Sequence, residues 1–143
     1  MANLRRKVAK TFPKYHPQAG ELTLFKPQIL NSIEHGINDP WTKHHTIRSG
    51  KKVKVGDVLI LEEWSGEPYR SKVDFLAKVE VVKTWDFKIS NAGYFINDKL
   101  VEYEDLRELA INDGLHIDDF KCWFSKEPEF DGQIICWCKD INY

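Results

Sequence analysis

Residues 73–85, VDFLAKVEVVKTW, most constrain what this chain can fold into. The run is long, rich in β-branched and aromatic side chains and partly alternating, so it reads as one extended strand. More strand signals flank it. HHTIR reads as a strand, and VKVGDVLILEEW as a Gly-Asp turn running into another. YFINDKLV reads as a short hairpin, or a strand and then a turn, at Asn97-Asp98. GQIICWCKD closes the chain as a strand, and LTLF is a short early one. RRKVAKTF begins as a basic arm and turns apolar, as an edge strand would.

Helical signals are fewer. KPQILNSIEHG sets Ile29, Leu30 and Ile33 at helical spacing, with Pro27 in the first turn and Gly36 as a C-terminal cap. EYEDLRELAINDG is the best helix: its first turn is acidic, Tyr103, Leu106, Leu109 and Ala110 share a face, and Gly114 ends it. IDDFKCWF adds a turn or two with Ile117, Phe120 and Phe124 inward, whereas PKYHPQAGE is a loop. Strands so numerous and so little interspersed with helices do not suit a doubly wound sheet. The expectation is an α+β fold: a small, curved, mostly antiparallel β-barrel with flanking helices. A chain of 143 residues fits one domain over 1–143, with 1–20 as a basic arm and loop.

Composition narrows the function classes. No run approaches the ~20 apolar residues that span a bilayer, so no membrane role is expected. MANLRRKVAK lacks the apolar core of a secretory signal. Three cysteines, an odd count, fit reduced thiols in a cytoplasmic protein. The net charge of −1 conceals an uneven distribution. Up to Lys54, eleven Lys and Arg face only Glu21, Glu34 and Asp39, giving +8; the remainder carries −9. Such polarity presents a basic face to an anionic partner, unless the halves interleave and cancel.

Two residues stand out chemically. In KHHTIR the strand period puts His44, Thr46 and Arg48 on one face and Lys43, His45 and Ile47 on the other. If Ile47 points inward, Lys43 goes with it, and a desolvated lysine loses its proton more easily and can act as a base. Otherwise Lys43 is an ordinary solvated lysine. Tyr103, Leu106, Ala110 and Asp113 form a second stripe, spaced 3, 4 and 3, which turns a carboxylate towards the core. Asp113 could equally serve only to end the helix beside Gly114. Cys136 and Cys138 share a strand face, and Cys122 lies near His116, but the spacing is not that of a zinc site and buried free thiols are expected. No metal and no cofactor are expected. Tyr15, Trp41, Trp64 and Tyr69, read as loop aromatics, are candidates to stack on a base.

LTLFKPQILNSIEHG, KHHTIRSG, KVGDVLIL, LAINDGL and DDFKCWF, in that order, resemble the ASCH family of the PUA-like superfamily from Glu21 onward. The resemblance implies a PUA-like β-barrel with a cleft and a role in binding RNA or a modified nucleoside. The family's small bacterial amidohydrolases, which remove acetate from N4-acetylcytidine, use a Lys-x-x-Thr-Ile-Arg motif and a later glutamate. By that resemblance Lys43 is the base, Thr46 the nucleophile and Asp113 the late acid, one methylene shorter. FPKYHPQAGE and INDPW are additions to the family pattern.

Three functions follow as expectations. The favoured one is recognition of RNA or a modified nucleoside in a basic cleft, with Arg48, His45, Trp41, Trp64 and Tyr69 binding the ligand and the KKVK turn adding phosphate contacts. Next is a metal-independent amidohydrolase acting on N4-acylated cytidine, in which Arg48 stabilises the oxyanion and Asp113 orients Lys43 or protonates the leaving amine. Third is an interaction domain that has lost the site. On an ideal strand Lys43 and Thr46 face apart, so catalysis requires the backbone near His44 or His45 to bulge or turn.

Overall fold

The structure, a computed structural model, describes residues 2–126 and 128–143. The strands are β1 (Asn3–Lys7), β2 (His45–Ser49), β3 (Val58–Trp64), β4 (Val73–Glu80), β5 (Lys83–Ser90), β6 (Gly93–Ile96), β7 (Lys99–Leu100) and β8 (Phe130–Cys136). Helices α1 (Phe25–His35), α2 (Tyr103–Asn112) and α3 (Ile117–Trp123) complete the α+β fold. One sheet has the order β1-β3-β4, with β1 parallel to β3 and β4 antiparallel to it. The other has the order β2-β8-β5-β6-β7 and is antiparallel throughout. Among the described residues these ladders remain two sheets rather than one closed barrel.

The expected single strand over 73–85 is two. At Val81-Val82 the chain changes sheet: the Val81 amide bonds to Asp57 O at 2.8 Å, and the Val82 amide to Cys136 O at 2.9 Å. Within the first sheet the register passes from Leu61 opposite Ala77 to Glu62 opposite Phe75. The extra residue, Leu76, is a β-bulge that turns it and Ala77 both towards the core. The Asn97-Asp98 turn forms as expected, both residues at positive φ, which suits a two-residue hairpin.

LTLF is not a strand. Leu24 takes a φ of 69°, and Phe25 already opens α1. The inward stripe of α1 is Phe25, Gln28, Ile29 and Ser32, leaving Leu30 and Ile33 exposed. Ser32 faces inward because its hydroxyl pairs with the His44 ring at 2.6 Å, while Gln28 meets the segment before β2 through its main-chain carbonyl. In α2, Leu106, Leu109 and Ala110 are buried but Tyr103 is exposed, with Lys121 over its ring.

One core joins both sheets to the three helices, with Ile29, Leu59, Leu61, Phe87, Leu109, Phe120, Ile134 and Ile135 fully enclosed. Each such side chain contributes about 1.5–3 kcal/mol of transfer free energy. Phe87 meets Phe120, Phe124 and Phe130 at centroid distances of 6.2, 5.9 and 6.1 Å, which seats α3 on the five-stranded sheet. β8 ends at Cys136, so Cys138 lies beyond the strand; both are buried free thiols beside Ile141. No helix among the described residues is long and apolar enough to cross a membrane.

Candidate functional site

Lys43 does not belong to a strand. Its amide bonds to Gln28 O of α1 at 3.1 Å, and the next amide, of His44, bonds to Asn112 O of α2 at 2.7 Å. The ladder with β8 begins at His45, opposite Cys136, preceded by one bond from the Trp137 amide to His44 O at 3.2 Å. Strand alternation therefore stops short of Lys43, and its side chain reaches the same cavity as Thr46. The segment is thus not a regular strand from Lys43 to Arg48, the arrangement that would have held Lys43 and Thr46 apart. His44 holds the segment in place, its ring nitrogens 2.6 Å from Ser32 Oγ and 2.7 Å from Thr42 Oγ1. Desolvation, with a smaller contribution from His45, lowers its pKa to about 4 and keeps it neutral at pH 7.

Asp113 is the C-cap of α2. The amides of Gly114 and Leu115 bond back to Ile111 O and Ala110 O, both at 2.9 Å, as a Schellman motif requires. Gly114 has a φ of +83°, and a Cβ there would stand 2.6 Å from Gln28 Oε1 and 3.2 Å from Lys43 Cβ. Glycine thus allows the helix end to close over Lys43. Asp113 ends the helix and also turns its carboxylate inward, so both readings of this residue hold. Lys43 Nζ donates to Asp113 O at 2.8 Å and to Asp113 Oδ1 at 2.9 Å, and sits 4.2 Å from the Phe25 ring centroid.

His45 backs this pair, its Nδ1 3.1 Å from Asp113 Oδ1 and its Nε2 2.6 Å from the Tyr143 hydroxyl. Burial would raise the Asp113 pKa, but Lys43 and His45 outweigh it and hold the carboxyl below its usual range. Burial lowers His45 against the pull of Asp113 and pushes the Tyr143 phenol up, so the ring is neutral and the phenol keeps its proton. An ionised carboxylate only accepts, so His45 Nδ1 carries the ring proton and Nε2 accepts from Tyr143. Asn112 Nδ2 donates to that same hydroxyl at 3.0 Å, leaving its proton for His45. Burial, ahead of the opposing Asp113 charge, draws Lys43 below its ordinary pKa, so its neutral form is nearer than in water.

Thr46 and Arg48 share a face of β2, as the strand period predicts. Arg48 Nε donates to Thr46 Oγ1 at 3.1 Å, and a terminal nitrogen donates to Lys7 O at 2.7 Å. A cavity of about 130 Å³ gathers Lys43, Thr46, Arg48 and Asp113 against Phe25, Trp123 and Phe124. A second, of about 210 Å³, shares Ile47, Arg48, Trp123 and Phe124 and adds Tyr15 and Lys126. A roomier hollow of about 670 Å³ near Lys88 and Phe130 contains none of the buried ionisable residues.

Other expected ligand residues lie elsewhere. His45 is behind Asp113, outside both cavity walls. Trp41 is half exposed on the loop before β2. Trp64 packs on Tyr69 at a centroid distance of 5.1 Å, with Lys7 over Trp64, and neither lines either of these two cavities. In the KKVK turn, Lys51 is engaged with Asp131 at 3.3 Å and Asp86 at 3.5 Å. The aromatic walls come instead from Phe25, Trp123, Phe124 and Tyr15, of which only Tyr15 was a stacking candidate. Phe25, Trp123 and Phe124 carried no such signal in the sequence, where Phe124 reads as an ordinary core position; Trp123 and Phe124 both pack against the core while lining the two cavities. Among the described residues no three His, Cys, Asp or Glu side chains converge as metal ligands would. No family model, curated protein or solved structure matches this chain.

Proposed function

We propose that the cleft binds an N4-acylated cytidine and hydrolyses its amide, in a PUA-like, ASCH-type fold whose barrel is left open between the two sheets. The observation that carries this reading is the convergence of Lys43, Thr46, Arg48 and Asp113 on one cavity, although three of them come from different elements. Neutral Lys43 has two N–H bonds, and Asp113 has two acceptors for them, O and Oδ1. The lysine lone pair is then left to take a proton.

In the reaction, Thr46 Oγ attacks the amide carbon while its proton passes to Lys43 Nζ, and the carbonyl oxygen gathers negative charge near Arg48. The C–N bond breaks as Lys43 returns the proton to the departing amine, leaving an acyl ester on Thr46. Water then attacks the ester carbon as its proton passes to Lys43, the bond to Thr46 Oγ breaks, and Lys43 returns the proton to that oxygen as the carboxylic acid leaves. Asp113, ionised and held by His45, orients Lys43 and does not supply the proton. This choice between its two expected roles follows from its lowered pKa. No step needs a metal, so a chelator leaves the rate unchanged.

A cavity of about 130 Å³ is small beside the roughly 300–1,000 Å³ of pockets that enclose drug-sized ligands. It suits the acylamide end of the base, with the sugar outside. Purified protein incubated with N4-acetylcytidine should release cytidine, followed by chromatography, and folded Thr46→Ala and Lys43→Ala should each lose the activity. Saturable binding of the nucleoside with no cytidine released would favour the second reading, a binding module. The aromatic and cationic walls of the outer cavity support that reading independently.

A further inference from the structure

Arg48 is partly buried on the wall shared by the two cavities. A guanidinium withdrawn from water normally faces a carboxylate, because burial of an unpaired charge is costly. Here its bonds go to neutral oxygens, Thr46 Oγ1 and Lys7 O. No carboxylate stands within ion-pair distance of it among the described residues. The nearest acid in the cleft, Asp113, already holds Lys43 and His45. Desolvation and the neighbouring Arg6 guanidinium both act against the Arg48 charge and outweigh the pull of Asp113.

The outer cavity continues this imbalance. It adds Lys126 and, among the described residues, no acidic side chain; Lys126 Nζ lies 5.8 Å from the Tyr15 ring centroid, and Trp123 lines the same cavity. Two cations and four aromatic rings around about 210 Å³ are the fittings of a site for an anion attached to a flat ring system. Arg48 presents a planar fork suited to phosphate oxygens, and Lys126 a mobile point charge.

We infer that the outer cavity is an anion subsite in which Arg48 and Lys126 receive a phosphate group carried by the nucleoside. The inner cavity therefore takes a free nucleoside less tightly than a nucleotide or a phosphorylated residue of an RNA strand. The identity of that occupant rests on the nucleoside reading above; the anion subsite itself rests only on the charges and rings around it. A phosphate here supplies the counter-charge that the fold does not.

The test follows the Arg48 Nε–H and Trp123 indole N–H resonances of the full chain by NMR. Inorganic phosphate should shift both saturably, beyond the drift given by sodium chloride at equal ionic strength, and Lys126→Glu should abolish the saturation. Identical drifts for phosphate and chloride overturn the anion subsite. In a second arm, cytidine 5′-monophosphate should bind roughly tenfold or more tightly than cytidine, as one charge-assisted contact allows. Equal affinities with saturable phosphate binding overturn the nucleotide assignment while leaving the anion site. An N4-acetylcytidine oligonucleotide hydrolysed faster than the acetylated mononucleotide would identify an RNA strand as the phosphate's source.

Discussion

Asp113 keeps Lys43 tolerable in a dry cleft, and removing it exposes how much that matters. Asp113→Ala leaves a buried ammonium without its partner and should destabilise the protein by about 3–5 kcal/mol in urea unfolding. The double variant Lys43→Met/Asp113→Leu removes both charges and should recover most of that loss while remaining inactive. A double variant as unstable as the single one would mean that packing, not charge, explains the cost. His44 provides a second prediction. Unfolded, it binds a proton below about 6.5; folded, only below about 4. Between those values the unfolded chain holds more protons, so stability should rise with pH from 4 to 6.5, by about 3 kcal/mol. His45, lowered in the same direction, adds to the slope. Unfolding free energies by denaturant at pH 4.5 and 7 measure it, and His44→Gln should flatten part of the rise. The inward turn of Asp113 was legible from the α2 stripe; Lys43 is buried as well, but not by the strand period shared with Ile47, because β2 starts only at His45. That Lys43 and Asp113 meet was not legible, because the contact joins residues seventy positions apart.

At the scale of elements, local chemistry was readable where the chain punctuates itself and unreadable where it does not. Asn97-Asp98 announces a hairpin, and Asn112-Asp113-Gly114 a helix end. VDFLAKVEVVKTW has no glycine or proline at Val81-Val82, so one β signal covers two strands. Only the bonds to Asp57 and Cys136, both distant in sequence, divide it. LTLF failed for a related reason: its apolar residues serve the entry to α1 rather than a ladder. Close approach of elements gives a further prediction. Gly132 of β8 faces Ser49, and a Cβ there would collide with the Arg48 carbonyl oxygen. Gly132→Ala should push β2 away, lower the melting temperature and weaken ligand binding together. An unchanged melting temperature would show that the two strands separate at no cost.

At the scale of the molecule, the charge polarity of the sequence is partly folded away. Arg5 and Lys7 both grip Glu62, Lys43 holds Asp113, and Lys51 lies between Asp86 and Asp131. Four basic early residues thus interleave with acidic late ones, and the proposed contacts to an anionic ligand come from the two cleft cations, Arg48 and Lys126. Binding of a single-stranded RNA oligonucleotide should consequently depend weakly on salt. About two phosphate contacts correspond to a log–log slope of roughly −1.4. A slope several times steeper would restore the broad basic face.

The most direct measurement is to mix the protein with N4-acetylcytidine or its 5′-monophosphate, quench in acid, and read free pyrimidine and protein mass together. Cytidine or its monophosphate should appear, and an acetyl group should be found transiently on the peptide containing Thr46, with both signals absent in Thr46→Ala. Undiminished release by folded Thr46→Ala would contradict the assignment of the nucleophile. No release from either substrate by folded wild type would contradict hydrolysis in this cleft.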